Sequence, residues 1–421
     1  MSRELGGRER ASGHFASIVW LRGIASLLVV WFHLVVIFCH ARGIVWPPMV
    51  FIESFINVPL GLRDGFSVYA VDLFFLISGF IVTHAALRET PVSFTVKRLL
   101  RIYPSFLFSL LVIAATLWTY TALTGVVFQG LRPPSLDDFL HSIFLLNIYV
   151  SDGTRAVTNF NINPVAWTLI LEMVFYTSVL LTLPLLKRRP TWVLGVQIAV
   201  YAWCVLAFPQ SSIQIPVLGW TFLTALFAMG YTIMYLLFLG QAIYLRYTQR
   251  IGWLAFALVF GAYYLLYVAS LPSIHAATYR EHPMLLMNPT LAIVTFVGLL
   301  LVDSRLVVPR VAQFFADISY SLYLNHAVVG AVLLATIYPV FGFEIALLAA
   351  LAASIGLATI SYHTVERRSQ DLARSLVRRR IIPSRFWSWL GLATTSLRGR
   401  RTLAHRPPEP APSKSSRTLV P

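Results

Sequence analysis

Arg22 and His33 lie eleven residues apart within the apolar run WLRGIASLLVVWFHLVVIF. At about 100° and 1.5 Å per residue, eleven steps return a helix to the same face within about 20°, roughly 16.5 Å further along its axis. A guanidinium and an imidazole on one stripe are the parts of an anion clamp and a proton acceptor. Inside a bilayer each ionisable side chain costs about 2.5–3.5 kcal/mol near the centre, so two on one stripe read as a polar track facing protein. A plainer reading stays open: Arg22 is near enough to the start of its run to snorkel into headgroups, and His33 can be a hydrogen-bonded packing residue.

Other ionisable residues fall at related depths when 1.5 Å is counted per residue from each expected span end. His33 lies roughly 24 Å from the inner boundary, and Asp72 and Glu172 roughly 9 and 12 Å below the outer one. These three are expected in one outer layer, whereas Arg22, Lys97, Arg98 and Arg101 collect at the inner boundary. The pattern suits two connected half-sites, an inner cationic one for phosphates and an outer carboxylate and imidazole cluster for proton transfer. Ordinary alternatives exist for each: Arg98 and Arg101 as topology determinants, Asp72 and Glu172 as interhelical hydrogen bonders. His326 in ISYSLYLNHAVV, with Tyr323 one turn before it, either orients a partner or simply packs.

The elements that must carry these groups follow from composition. Of 421 residues 57% are hydrophobic and 12% charged, about half the charged usage of soluble domains, so the expected fold is an all-α polytopic membrane bundle. Runs near 20 residues with few charges give about ten spans: 17–40, 66–87, 101–124, 164–186, 191–208, 217–239, 252–271, 286–303, 317–340 and 343–363. The net charge of +16 raises nucleic acid as a partner, and its placement argues against one. With the N-terminus cytoplasmic, 27 of the 33 Lys and Arg residues fall in inner segments, which is the positive-inside asymmetry. Both termini are therefore expected in the cytoplasm and the chain in the cell's inner membrane.

The expected organisation is a cytoplasmic segment 1–16, a membrane domain 17–363 and a basic cytoplasmic tail 364–421. The first run is too long for a signal peptide and lacks a small-residue cleavage pattern, so it reads as a retained helix. In the tail, TVERRSQDLARSLVRRR is expected as a basic surface helix against anionic lipid, with disorder after about residue 405. Cys39 and Cys204 support neither a disulfide framework nor a metal site. Serine-hydrolase, nucleotide-loop and zinc-protease motifs are missing, so those chemistries lack support. The outer segment 125–163, with Asp137, Asp138, Asn147, Asp152, Asn159, Asn161 and Asn163, either contacts sugar hydroxyls or is an ordinary polar loop.

Several ordered segments, LRGIASLLVVWFH, VDLFFLISGFIV, KRLLRIYP, PVAWTLILEMVFY, ISYSLYLNHAVV and YHTVERR, together resemble the membrane acyltransferase-3 family over about residues 17–366. LEMVFY, where a two-glutamate version is commoner, makes the exopolysaccharide-production acetyltransferase branch look nearer than the O-antigen branch. The resemblance implies transfer of an acyl group, with acetyl expected, from a cytoplasmic coenzyme A thioester to a hydroxyl of an extracytoplasmic sugar or polysaccharide. It implies that His33 is the family's helix-one histidine and Arg22 the basic residue preceding it. Arg98 and Arg101 match its basic cluster after helix two, Glu172 and Trp167 its W-T-L-x-x-E segment, and Asp72 the aspartate before F-F-x-I-S-G-F. Two positions depart from the pattern: Asn325 replaces the usual aromatic, and the terminal VERP reads Val365-Glu366-Arg367-Arg368.

On this reading acyl-CoA is the donor, bound through Arg98, Arg101 and Lys97, its arm running past Arg22 to His33. His33 is the expected general base, with Glu172 or Asp72 fixing its tautomer, and an acyl-histidine route is the variant. The rivals are a secondary transporter or glycan flippase and a non-catalytic scaffold of polysaccharide export. Transport is disfavoured because Pro104, Pro289 and Gly79 show no matched halves.

Overall fold

The computed structural model describes residues 15–62, 65–129, 131–145, 150–151, 156–157, 162–207, 221–274 and 286–378. The expected disorder after residue 405, and Asn147, Asp152, Asn159 and Asn161, lie outside the described residues.

Helix α1 runs Ala16–Arg42, loosens into a π turn at Phe32–Val36, and stops at Gly43, whose φ of 64° only glycine adopts without strain. A short helix α2 follows over Pro47–Ile52, continued by Glu53–Asn57 and Val58–Leu60. Then come α3 (Ser67–Arg88), α4 (Pro91–Thr124) and α5 (Leu136–Ile143). Val150–Ser151 and Ala156–Val157 make a minimal antiparallel pair, with Val150 opposite Val157. The rest is α6 (Trp167–Arg188), α7 (Pro190–Ala207), α8 (Thr221–Tyr247), α9 (Trp253–Ile274), α10 (Met287–Leu301), α11 (Arg310–Ser361), a π turn Tyr362–Glu366 and α12 (Arg367–Arg378).

A helix stands at each of the ten expected places, the last two being the halves of α11 on either side of Gly342, where φ 79° and ψ 177° leave the helical region. Six helices among the described residues are long and apolar enough to cross a bilayer. Leu111, Leu181, Leu254, Leu265 and Leu348 lie exposed on four of these helices, an apolar surface suited to lipid rather than water.

One boundary moves in a way that matters. The apolar scan begins the third span at residue 101, but Pro91 occupies the first turn of α4 and Thr90 Oγ1 accepts the Ser93 amide at 3.2 Å, so the helix starts ten residues earlier. At 34 residues α4 is about 51 Å long, against a hydrocarbon layer of about 30 Å. Arg98 and Arg101 thus stand two to three turns inside a continuous helix, not at its end.

Glycines set the closest helix crossings. A Cβ on Gly79 of α3 would collide with the Leu237 carbonyl of α8, and one on Gly240 with the Leu76 carbonyl, so two backbones meet where neither side has a side chain. Gly330 of α11 similarly leaves room for Leu34 of α1, one residue past His33. Helix α12 packs on α4 with Ser369 and Ala373 buried, its arginines on the remaining face.

Candidate active site

A cavity of about 350 Å³ opens between α1, α3, α4, α6 and α11. Its charged lining is Arg22 from α1, Arg98 and Arg101 from α4, and Glu172 from α6. Three residues apart on one helix, Arg98 and Arg101 present nearly the same face. Arg98 lies 5.7 Å over the Phe94 ring, and its buried Nε has no hydrogen-bond partner. Arg22 donates to Ser319 Oγ at 2.9 Å, and Ser319 in turn donates to Ala316 O. The carboxylates nearest Arg101 are Glu366 and Glu172.

Both of those carboxylates are already held by neutral donors. Glu172 accepts from Ser78 Oγ at 2.6 Å and from Tyr176 OH, one turn along α6, at 3.2 Å. Glu366, 1% exposed, accepts from Ser321 Oγ at 2.8 Å and from Gln370 Nε2 at 3.2 Å. Asp317 is a third carboxylate, facing Arg22, but within the lining itself three guanidiniums stand against Glu172 alone and keep free N–H donors, the arrangement that binds phosphate or carboxylate anions.

At the other end of the cavity Tyr323 is pinned: its hydroxyl donates to Val165 O at 2.9 Å and lies 2.9 Å from Thr168 Oγ1. One turn further along α11, the wholly buried His326 has its ring centroid 6.3 Å from that of Tyr323. His326 Nε2 lies 3.1 Å from His33 Nδ1. Each imidazole also sets Nδ1 2.9 Å from a carbonyl one turn back in its own helix, Val29 O for His33 and Leu322 O for His326. His33 sits in the π turn of α1, where the extra residue per turn breaks the regular ladder, a feature common at functional sites.

Arg22 and His33 do share a face of α1. Arg22 reaches Ser319 and His33 reaches His326, so both point at α11 and the two helices run in the same direction. Ser319 and His326 are about 10.5 Å apart along α11 against roughly 16.5 Å on α1, and the long arginine side chain spans the difference.

Four expected placements are corrected. The carboxylate partner expected for His33 is an imidazole instead: among the described residues neither Glu172 nor Asp72 hydrogen-bonds to it, and His326 does. Glu172 lines the arginine cavity because α4 begins early and carries Arg98 and Arg101 up to it. Asp72, 3% exposed, is not in the cavity lining; it faces the Tyr235 and Tyr267 hydroxyls of α8 and α9, and its Oδ2 has no hydrogen-bond partner. Lys97 is likewise outside the lining, ion-paired to Glu89 at 2.7 Å. Trp167 opens α6 with its ring 6.4 Å from that of Phe75, beside the cavity but not on it.

Of the described acidic and amide residues of 125–163, Asp138 and Asn163 are spent internally, and Asp137 is exposed. Asp138 completes a capping box with Ser135 and pairs with Arg132 at 2.9 Å, and Asp137 faces His141. Buried Asn163 donates to Ser109 Oγ and to Leu324 O, tying the start of α6 to α4 and α11. Asn325, the departure from the aromatic pattern, turns its amide back onto Ser321 O at 2.8 Å. Reading the residues one by one assigns no role to Glu366, Ser319, Ser321, Ser78 or Tyr176. The only signals for them are the VERR run and the one-turn spacing of Glu172 and Tyr176.

A family profile described as an acyltransferase domain matches residues 15–363. The chain belongs to the acyltransferase-3 family. It is similar also to nodulation protein 10 of Rhizobium leguminosarum bv. viciae, 33% identical over 137 residues, which cover 29% of this chain and 33% of that protein. The match thus spans about a third of that relative's length. No solved structure matches the chain. The match describes an acyltransferase domain in a chain with several membrane-spanning helices, and the cavity and histidine pair are where chemistry is to be sought.

Proposed function

We propose that this acyltransferase moves an acyl group, acetyl in the first instance, from coenzyme A to a hydroxyl of an extracytoplasmic sugar or polysaccharide in the cell's inner membrane. The observation that carries the reading is one file of groups: three guanidiniums in a cavity, Tyr323 at its far end, then His326 and His33. Arg98 and Arg101 offer free donors to the nucleotide phosphates, and Arg22 marks the path of the pantetheine arm. The separation of roughly 16.5 Å along α1 suits a donor whose charged end and reactive thioester are far apart. The positive-inside asymmetry assigns the arginine end to the cytoplasm, where acyl-CoA is made, and so the histidine end to the opposite side.

In this mechanism His33 Nε2 removes the proton of the attacking hydroxyl while its oxygen bonds to the thioester carbon and the C–S bond breaks, freeing the thiol. Glu172 balances Arg101 and sets the cavity's charge; it does not act on the imidazole. Tyr323, fixed by Val165 and Thr168, lines the cavity where His33 and His326 do not, so the acyl end of the donor passes its ring to reach His33.

The test is free-thiol titration with the protein in liposomes, given acetyl-CoA and the polysaccharide of the cell it comes from, followed by mass analysis of the glycan. Thiol release with a 42 Da gain per acetyl group is the expected result. Glycan movement across the liposome without thiol release would overturn the proposal in favour of transport.

A further inference from the structure

The contact between the two imidazoles has a polarity that the distances fix. His326 Nδ1 lies 2.9 Å from Leu322 O, which can only accept, so Nδ1 carries that ring's proton and Nε2 presents a lone pair. His33 Nδ1 lies 2.9 Å from Val29 O and 3.1 Å from that lone pair, two acceptors at once. It too must hold a proton, which leaves His33 Nε2 as the unprotonated, basic nitrogen. His326 is 0% exposed, and the titratable side chain nearest the pair on α11 is Tyr323, whose hydroxyl is committed to Val165 O. Gly330, one turn beyond His326, lets α1 and α11 come close enough for the ring contact.

We infer that His326 is the positioning residue of the reaction: with Val29 O it accepts the His33 Nδ1–H, aims the ring, and stabilises the imidazolium formed when His33 Nε2 takes up the proton of the attacking hydroxyl. The inference rests on the reading of His33 as general base. The protons balance: the hydroxyl O–H breaks and His33 Nε2–H forms, the Nδ1–H stays on His33 as a hydrogen bond to His326 Nε2 and Val29 O, and the C–S bond breaks as the new C–O bond forms. His33 Nε2–H then protonates the departing thiolate and the ring returns to neutral. A neutral acceptor does the orienting work usually given to a carboxylate without burying a second charge in lipid.

The test uses the full chain with ¹⁵N-labelled histidine in lipid nanodiscs, the ten histidines being resolved by difference against His33→Gln and His326→Gln. In the unaltered protein both His33 and His326 are expected as Nδ1–H tautomers. In His326→Leu, Val29 O still holds the proton on Nδ1, so the tautomer is expected to stay while the Nδ1–H resonance shifts on losing its second acceptor. In His326→Gln, whose side-chain oxygen can take the place of Nε2, that resonance is expected to move less. Acetyl transfer to the cell's own polysaccharide is expected to fall about 100-fold in His326→Leu and less than about tenfold in His326→Gln. The KM for acetyl-CoA should stay unchanged, and the acid limb of the pH profile should move only in His326→Leu. His33 found as Nε2–H in the unaltered protein, or His326→Leu retaining full activity with an unshifted Nδ1–H resonance, overturns the inference while leaving the base reading intact. Full activity of His33→Gln overturns both.

Discussion

Two polar interiors share this bundle, and they are built in opposite ways. Between α1, α4, α6 and α11, Arg22, Arg98, Arg101 and Glu172 surround a cavity, with donors left over for something that enters. On the far side of α3, Asp72 meets Tyr235 and Tyr267, whose rings stack at 4.7 Å, while Gln197 donates to Gln241 at 3.0 Å. That second cluster is a stack of rings, Tyr201 and Tyr263 among them, under the glycine crossing of α3 and α8, with Asp72 Oδ2 and the Tyr235 and Tyr263 hydroxyls unpartnered beside it. Burying guanidiniums around a cavity is expensive unless a ligand uses it, whereas stacked rings at a close crossing specify how helices pair. The first interior is therefore the one to test for chemistry, the second for folding.

The largest expected effect is at the histidine end. His33→Gln should lower acetyl transfer by about 10²- to 10⁴-fold while leaving the yield of inserted protein unchanged, as thiol release and membrane immunoblots would read. Next come the cations: Arg98→Ala and Arg101→Ala should each raise the KM for acetyl-CoA about 10- to 100-fold, the loss of a charge-assisted hydrogen bond worth about 1.5–3 kcal/mol. On the other side of α3 the sign of the comparison reverses. Gly79→Val should destabilise the detergent-solubilised protein by about 1–3 kcal/mol through overpacking against Leu237, seen as a lower melting temperature. Asp72→Asn keeps the shape of the side chain and should alter transfer less than about fivefold, the equivalent of about 1 kcal/mol. An inactive but well-folded Asp72→Asn protein would erase the distinction between the two interiors. Smallest of all, Lys97→Ala should leave the KM for acetyl-CoA within about twofold, since a partly exposed pair with Glu89 is worth little and stands outside the cavity.

Much of the architecture is legible in the chain. Long apolar runs with charges confined to their ends place a helix at each expected position, because backbone amides in lipid have no partner except their own helix. The eleven-residue spacing of Arg22 and His33 is likewise enough to put them on one face, since helical periodicity is local and does not depend on neighbours. The family segments, read in order, carry the family assignment.

Partnership is another matter. That His33 meets His326 across 293 positions, that Glu172 joins the arginines, and that Asp72 turns away to the tyrosines of α8 and α9 depend on which helix lies against which. Depth counted along single helices goes astray once Pro91 and Thr90 start α4 ten residues before its apolar stretch. Glu366 shows the limit most directly: it follows the last apolar run in an unremarkable basic motif, yet the π turn after α11 folds it back beneath Arg101, to Ser321. The order and faces of the helices are set by short-range periodicity and the cost of exposing backbone to lipid, so the sequence alone determines them. Which polar groups end up touching is set by glycine-permitted crossings and helix starts far apart in the chain, and only the tertiary structure decides it.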